Sequence, residues 1–534
     1  MKKTIALSAL VLCAYFFGMG SYGLIDPDEG RYSEIPREML ETGDYITPRL
    51  NYVKYFEKPA LHYWLTAASF ALFGQNEFAA RLTPVLCALG GIVLVYILAR
   101  RFYGSREAFY SVVILSTCVL WFAVARLNIL DMTVTFFITL SLVGFWYGQD
   151  ESASRAYLLL FYAGMALATL TKGLIGFILP GGIVFWYIIL TRRWSLFARV
   201  IYWPGVILFL VLTVPWFWAV CRANSDFFYF FFVQEHFLRY TTRMHGRYQP
   251  FWFFVPMLIF GLVPWAGLLP GITLGVAEKA KERRAGIFLG LWFAVPFIFF
   301  SLSDSKLIPY ILPCLPPLAI LGGRELTLVA GDGTRARRFV HANGVLSLIL
   351  AAGGIIYPMM DKKYGVEALY PYTLPASASL TLIALCGWRF YSRRSYRLIV
   401  NILCALAFVN ILALSRGFTM KADQDSYKEP AALIREHLSD ENVVVSYGSA
   451  AQGLGFYLGR RIVLAEALGE LEFGASQEGD PRWFIGSDTL EKLWGGASRV
   501  FLVSDERNAE ELKEMFGSAT VIGENRYFVV LSNY

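Results

Sequence analysis

The sequence predicts a polytopic α-helical membrane protein that ends in a small soluble α/β domain. Three observations predict it. Hydrophobic residues make up 56% of the 534 positions and charged residues only 17%, and the mean hydropathy is +0.49. The apolar residues fall in repeated runs of about 17–25, the length that crosses a hydrocarbon layer as a helix. From residue 417 onward these runs cease, and short β-type segments replace them.

About thirteen spans are expected, at 4–24, 80–100, 107–126, 129–147, 156–171, 173–191, 199–220, 250–273, 286–303, 308–325, 340–358, 372–390 and 397–415. Barrel strands would be shorter and would alternate. The N-terminal run has the charged start and apolar core of a signal peptide, but its length and the lack of an A-x-A site read as a retained first span.

The net charge of +7 follows from loop chemistry. With Lys2 and Lys3 in the cytoplasm, the inner connections carry Arg100, Arg101 and Arg106, then Arg192 and Arg193, Lys279 to Arg284, Arg335 to Arg338, and Arg389 to Arg394. That is the positive-inside pattern, and it places the tail on the outer side. No basic run interleaved with aromatics points to nucleic acid. The seven cysteines lie in or beside apolar runs without a CxxC pair, which argues against a disulfide framework or zinc knuckle.

Two units are expected: a membrane domain over 1–416, including a long first outer loop at 25–79, and an outer α/β domain over 417–534. In the tail, VVVSY, IVLAE, RVFLVSD and YFVVLSN read as strands, and PAALIREHL and AEELKEMFG as helices, the second capped by a Ser-Asp start.

The unusual polar residues gather at the outer face. Asp26, Asp28 and Glu29 stand within DPDEGRYSEIPREML, followed by Arg31, Tyr32 and Arg37; from Arg31 the segment can form an amphipathic interfacial helix. The same residues also read as a solvated, self-neutralising surface turn. Glu57 and Lys58 sit in YFEKPALHYW beside Tyr55, as a charged pair at headgroup level or an ordinary aromatic anchor. Asp131 lies near membrane depth, where an ionisable group is costly without a site or a partner such as Arg126. Lys172 either serves a site or snorkels. His236 has Arg239, Arg243 and Arg247 close by, a set suited to an anion. Lys306 and Tyr310 lie in SDSKLIPYILP, whose prolines imply a broken helix start of the kind that lines cavities. Carboxylates can act as bases or hold metal, and Lys and Arg can stabilise a phosphate leaving group. An interfacial location suits a substrate with a polar head and a lipid tail. A transporter of lipid-linked sugars would share many of these traits, but would usually show two related halves, which this sequence lacks.

At these residues the sequence resembles a known family. DPDEGRYSEIPREML, YFEKPALHYWL, the Asp131 segment, the TKG at 171–173 and KLIPYILP look like those of GT-C glycosyltransferases related to protein O-mannosyltransferases. The likeness is greatest to the bacterial undecaprenyl-phosphate-aminoarabinose:lipid A arabinosyltransferases. It covers the first third strongly, the middle in patches and the tail hardly at all.

The resemblance implies a GT-C fold in the bacterial inner membrane and a periplasmic active site. It implies an undecaprenyl-phosphate-linked sugar as donor, lipid A or another periplasmic acceptor, and inversion at the sugar. Asp28, Glu29 and Asp131 would be catalytic. Arg31, Lys58, Lys172, Arg243 and Lys306 would bind the donor phosphate, and Tyr32, Tyr55 and Tyr310 the substrate. Glu57 with His236 would hold a divalent metal (Zn or Mg). Lys172-Gly173-Leu174 stands where the family usually has KGP. Transfer of mannose or another hexose to protein or glycan is the alternative within the same class.

Overall fold

The computed structural model describes residues 2–150, 152–238, 248–275, 283–361, 365–478, 480–517 and 519–534. A helix stands at each expected span. Among the described residues eight are long and apolar enough to cross a membrane, or up to ten if each of two bent pairs is one span. Ile5–Phe16, Tyr157–Lys172 and Ile175–Thr191 are shorter apolar helices.

Three differences from the sequence reading have local causes. The first helix ends at Phe16 and not near residue 24. Gly18 takes a positive φ of 66° there, and the carbonyls freed by the turn accept hydrogen bonds from buried arginines. Arg126 donates to the carbonyls of Ala14 and Phe17, and Arg81 to those of Met19, Tyr22 and Gly23. The spans expected at 107–126 and 250–273 are broken. Ser105–Thr117 and Val119–Ala125 meet at 62°, and Phe254–Gly261 and Ala266–Ile272 at 109°. The two breaks face each other: the Val119 amide donates to the Val263 carbonyl at 3.1 Å and Trp265 Nε1 to Thr117 Oγ1 at 2.8 Å. Interrupted helices persist at membrane depth only where freed backbone groups find such partners. Finally, the last long helix, Tyr396–Asp425, runs past residue 416 before the α/β domain begins.

The first outer loop is ordered throughout. Helix Asp28–Thr42 leads to a hairpin of β1 (Arg49–Leu50) and β2 (Val53–Lys54), then to helix Leu61–Phe73. Asn51 and Tyr52 both have positive φ, as a two-residue hairpin turn requires. Asn76 caps the next helix, Glu77–Phe102, by accepting from the Ala79 amide at 2.9 Å. Helix Asp28–Thr42 does not lie on the lipid surface. Glu29 to Met39 are all buried, because the α/β domain covers the helix from outside. At Gly30 a Cβ would meet the Gly453 amide nitrogen at 2.6 Å, so only glycine permits this approach.

The α/β domain holds β3 (Val443–Tyr447), β4 (Val463–Ala465), β5 (Phe484–Ile485), β6 (Val500–Asp505), β7 (Thr520–Glu524) and β8 (Phe528–Ser532). They form one sheet in the order β5-β4-β3-β6-β8-β7. β3 to β6 are parallel to one another, and β8 runs antiparallel to β6 and β7. The four expected strands are among them; β5, only two residues long, and β7 were not legible. The Ser-Asp start does not cap helix Ala509–Met515, because a 3₁₀ turn at Glu506–Asn508 intervenes.

Alternation along the strands explains how the domain docks. Val445, Val463, Leu502, Val529 and Leu531 pack under helices Ser487–Trp494 and Ala509–Met515. Val444, Leu464, Phe501, Val503 and Val530 on the other face belong to the core that continues into the outer loop and membrane helices. Polar bonds seal the joint. Asn51 exchanges two hydrogen bonds with the Ile462 backbone, Lys428 pairs with Glu77 at 2.7 Å, and Arg49 with Glu478 at 2.6 Å.

Asp26 lies in the same joint, where its Oδ2 accepts from the Gly453 amide at 3.0 Å. Burial pushes its carboxyl up from 3.8 to about 7, against the Gly453 hydrogen bond and the Arg31 charge, with Glu29 and Asp425 adding to the rise. An acid raised in this way keeps its proton longer folded than unfolded. Its contribution to stability is therefore greatest below the unfolded value and falls as pH rises from about 4 to 7. Asp26→Asn should flatten the pH dependence of Tm across that window and melt above the parent at pH 8, as measured by differential scanning fluorimetry.

Candidate active site

The site is anchored by a buried ion pair. Arg81, from within a membrane span, donates from Nε and Nη2 to both oxygens of Glu29 at 2.8 and 2.7 Å. Its three remaining N–H groups go to the carbonyls of Met19, Tyr22 and Gly23, so all five donors are used. The Glu29 carboxylate also accepts from the Ile25 and Asn128 amides at 3.0 and 2.8 Å. Asn128 extends the network, with Nδ2 donating to the Tyr32 carbonyl and Ser33 Oγ and Oδ1 standing 3.1 Å from His62 Nε2.

This arrangement corrects the expectation for Glu29. It is 1% exposed and its acceptor sites are filled, so it holds the loop in place and does no chemistry on substrate. Asp28, one residue earlier in the first turn of helix Asp28–Thr42, has a side chain that is 54% exposed. An anion in that position is favoured by the helix dipole. The adjacent Arg31 is also corrected. It is buried, pairs with Asp28 and with Glu470 of the α/β domain, and lies against the Tyr32 and Tyr55 rings. It positions Asp28 and is not placed to grip a phosphate. Tyr55 is buried as well, with its hydroxyl donating to Glu470 at 3.2 Å.

A second pair faces the same region. Lys172 Nζ is 2.5 Å from Asp131 Oδ1, and both side chains are partly open, at 12% and 14%. Asp131 starts helix Leu130–Gly148 and Lys172 ends helix Tyr157–Lys172, so both charges complement their helix dipoles. The ammonium rests 4.6 Å from the centroid of the Tyr310 ring, which is carried by the 3₁₀ turn Ile308–Cys314. Lys172, and not Arg126, is therefore the partner of Asp131. Lys58 Nζ lies 3.6 Å from a Glu57 oxygen and 3.7 Å from one of Glu235. Lys306 is buried and donates to the carbonyls of Gln249 and Ser303, which makes it a brace for the outer loops and not an exposed phosphate ligand.

Electrostatics tie these groups into one site. The charges of Arg31, Asp28, Asp131 and Glu57 all act on the buried Tyr32 phenol, whose pKa is raised chiefly by burial. Arg243 and the His236 side chain lie outside the described residues, so the Glu57–His236 metal pair does too. Among the described residues no three His, Cys, Asp or Glu side chains converge as metal ligands. Arg81, Glu235 and Glu470 are the residues that sequence reasoning missed. Arg81 carried a readable signal, as a charge inside an apolar run. Glu470 carried none, lying over 400 positions from its partners.

The two neighbouring acids should separate cleanly. Removing one partner of a buried ion pair costs about 3–5 kcal/mol, so Glu29→Gln should lower Tm sharply and cut the folded yield. Asp28→Asn should keep the parent's Tm and fold while losing activity. A thermal melt alongside a turnover assay checks both.

Residues 57–218 match the family model described as dolichyl-phosphate-mannose-protein mannosyltransferase, and residues 430–533 the aminoarabinose transferase C-terminal domain. An undecaprenyl phosphate-α-4-amino-4-deoxy-L-arabinose arabinosyl transferase of Pseudomonas fluorescens is 35% identical over 405 residues, 73% of this chain and 71% of that one. The enzyme of that name from Edwardsiella ictaluri is 32% identical over 502 residues, 89% and 88% of the two chains. The crystal structure of ArnT from Cupriavidus metallidurans bound to undecaprenyl phosphate superposes with a TM-score of 0.90 at 30% identity, covering 100% of this chain and 98% of that one. An archaeal oligosaccharyltransferase from Archaeoglobus fulgidus, 13% identical with a TM-score of 0.54 over 96% of this chain and 70% of its own, shares the fold alone. The chain belongs to the family of undecaprenyl phosphate-α-4-amino-4-deoxy-L-arabinose arabinosyl transferases.

Proposed function

We propose that this protein transfers 4-amino-4-deoxy-L-arabinose from undecaprenyl phosphate to lipid A at the periplasmic face of the bacterial inner membrane. The observation that carries the reading is the meeting of an exposed carboxylate, Asp28, with the Asp131–Lys172 and Glu57–Lys58 pairs around Tyr32. The family relationship supplies the sugar and its carrier. The basic connections between spans support an orientation with the N-terminus in the cytoplasm and the α/β domain in the periplasm.

Lys58 and Lys172 are suited to the donor phosphate. An ammonium aimed at the bridging oxygen offsets charge as the sugar departs. Each now neutralises a carboxylate, so the phosphate would replace or share that partner. The acceptor attacks the anomeric carbon from the face opposite the phosphate, inverting its configuration. An acceptor phosphate is already ionised and needs no base; an acceptor hydroxyl would lose its proton to Asp28. In the first case Asp28 orients the sugar or its amine. Glu57 and His236 would hold a divalent metal, and activity after chelation and metal return tests that pair.

Purified protein in lipid nanodiscs would be given radiolabelled undecaprenyl-phosphate-aminoarabinose and lipid A. Label should move to lipid A, and Asp28→Asn and Lys172→Met should each lower the rate by about a hundredfold or more. Transfer only from a polyprenyl-phosphate hexose would reassign the sugar. No transfer from either donor would reject the enzyme reading.

A further inference from the structure

The α/β sheet has a topological switch point. From β3 the chain steps to β4 and β5 on one side, then returns to place β6 on the other. In open α/β sheets a crevice opens beyond the carboxyl ends of the strands where the connections diverge, and ligands bind there. Here a cavity of 310 Å³ occupies that point. Ser449 to Gln452 follow β3, and Ser504 and Asp505 end β6. The opposite wall comes from the membrane domain, through Asp26, Pro27 and Asp425. The volume lies at the lower end of the range of about 300–1,000 Å³ for small-molecule sites.

The lining has a definite chemistry. It presents three carboxylates, Asp26, Asp425 and Asp505, and none of the described residues lining it is basic. Lys421 and Arg507 pair with Asp425 and Asp505 from outside the lining. Gln452 is 8% exposed, and its Oε1 accepts no hydrogen bond. A buried acceptor without a donor is costly, and a ligand N–H would satisfy it. Tyr427 and Phe528 add ring faces, and the Tyr427 hydroxyl pairs with Ser449 Oγ at 2.9 Å. Carboxylates and an amide oxygen suit an ammonium group, hydroxyls suit sugar hydroxyls, and ring faces suit the C–H face of a pyranose. None of these residues belongs to the site around Tyr32.

We propose that this crevice is a second binding site, for the protonated amine of an amino sugar, completed only when the α/β domain sits on the first outer loop. The choice of sugar rests on the transfer reading above; the preference for a cation rests on the lining. The site lies against the catalytic loop. Asp26 stands two residues before Asp28 and bonds Gly453, the residue after Gln452. An amine held between Asp26, Gln452 and Asp505 therefore braces the start of helix Asp28–Thr42 against the α/β domain.

Hydrogen–deuterium exchange on the full chain in nanodiscs tests this, with free 4-amino-4-deoxy-L-arabinose as probe and L-arabinose and Mg²⁺ as comparisons. The amino sugar should slow exchange at 448–454 and 503–507, and L-arabinose should not. Gln452→Leu and the surface-accessible Asp505→Asn should each raise the Kd read from that protection about tenfold. Equal protection by L-arabinose or by Mg²⁺ alone would overturn the amine assignment. Protection absent from these segments, or unchanged in both variants, would overturn the site. If transfer of aminoarabinose fails while the protection and its loss in the variants hold, the crevice stands and the transfer reading falls. If transfer succeeds without protection, only the crevice falls.

Discussion

The pairing of Arg81 with Glu29 fixes the position of everything that follows it. A guanidinium inside a membrane span is tolerable only when each N–H has an acceptor, and here a carboxylate and three backbone carbonyls supply all five bonds. Those carbonyls exist because the first helix stops at Phe16 and the chain turns. The carboxylate in turn receives two backbone amides, one from Asn128, just before the Asp131 helix. One ion pair thus joins the first helix, the first outer loop and two further helices. It also sets the phase of helix Asp28–Thr42, which turns Glu29 inward and leaves Asp28 facing out.

The same accounting of polar groups runs through the membrane domain. Two broken helices satisfy each other at their breaks, through Val119 with Val263 and Thr117 with Trp265. Broken and shortened helices make room for charge. Asp131 and Lys172 occupy helix ends, where the dipoles favour them, and neutralise one another. The α/β domain completes the outer wall. Glu470 reaches Arg31 and Tyr55, so part of the scaffold beneath Asp28 is supplied from the far end of the chain.

Much of this was legible from residue order. Apolar runs located every membrane helix, because the length of hydrocarbon to be crossed imposes a repeat that composition cannot hide. Short β-branched and apolar runs located β3, β4, β6 and β8 of the tail, and fell short at β5, where two residues give no pattern to detect, and at β7, whose five residues are partly exposed. Helix bends were not legible, since a break depends on a partner elsewhere for its freed backbone groups. Within the site, motifs brought out Asp28, Lys58, Asp131, Lys172 and Tyr310, residues whose chemistry is unusual for their depth. Their neighbours Glu29, Arg31 and Lys306 have the same chemistry, and the sequence offered no means of telling a bracing charge from a working one.

By itself, then, the sequence determined the membrane architecture and the polar residue types gathered at one end of the spans, because each follows from local hydropathy, charge and motif. Tertiary structure decided which of those charges are spent. Burial and the count of hydrogen-bond partners separate Glu29 from Asp28 and Lys306 from Lys172, and these are properties of contacts made across tens to hundreds of residues. It also decided that the α/β domain is packed into the outer loop and is no tethered appendage, because the second apolar face of its sheet has a partner only when the membrane domain is folded beneath it.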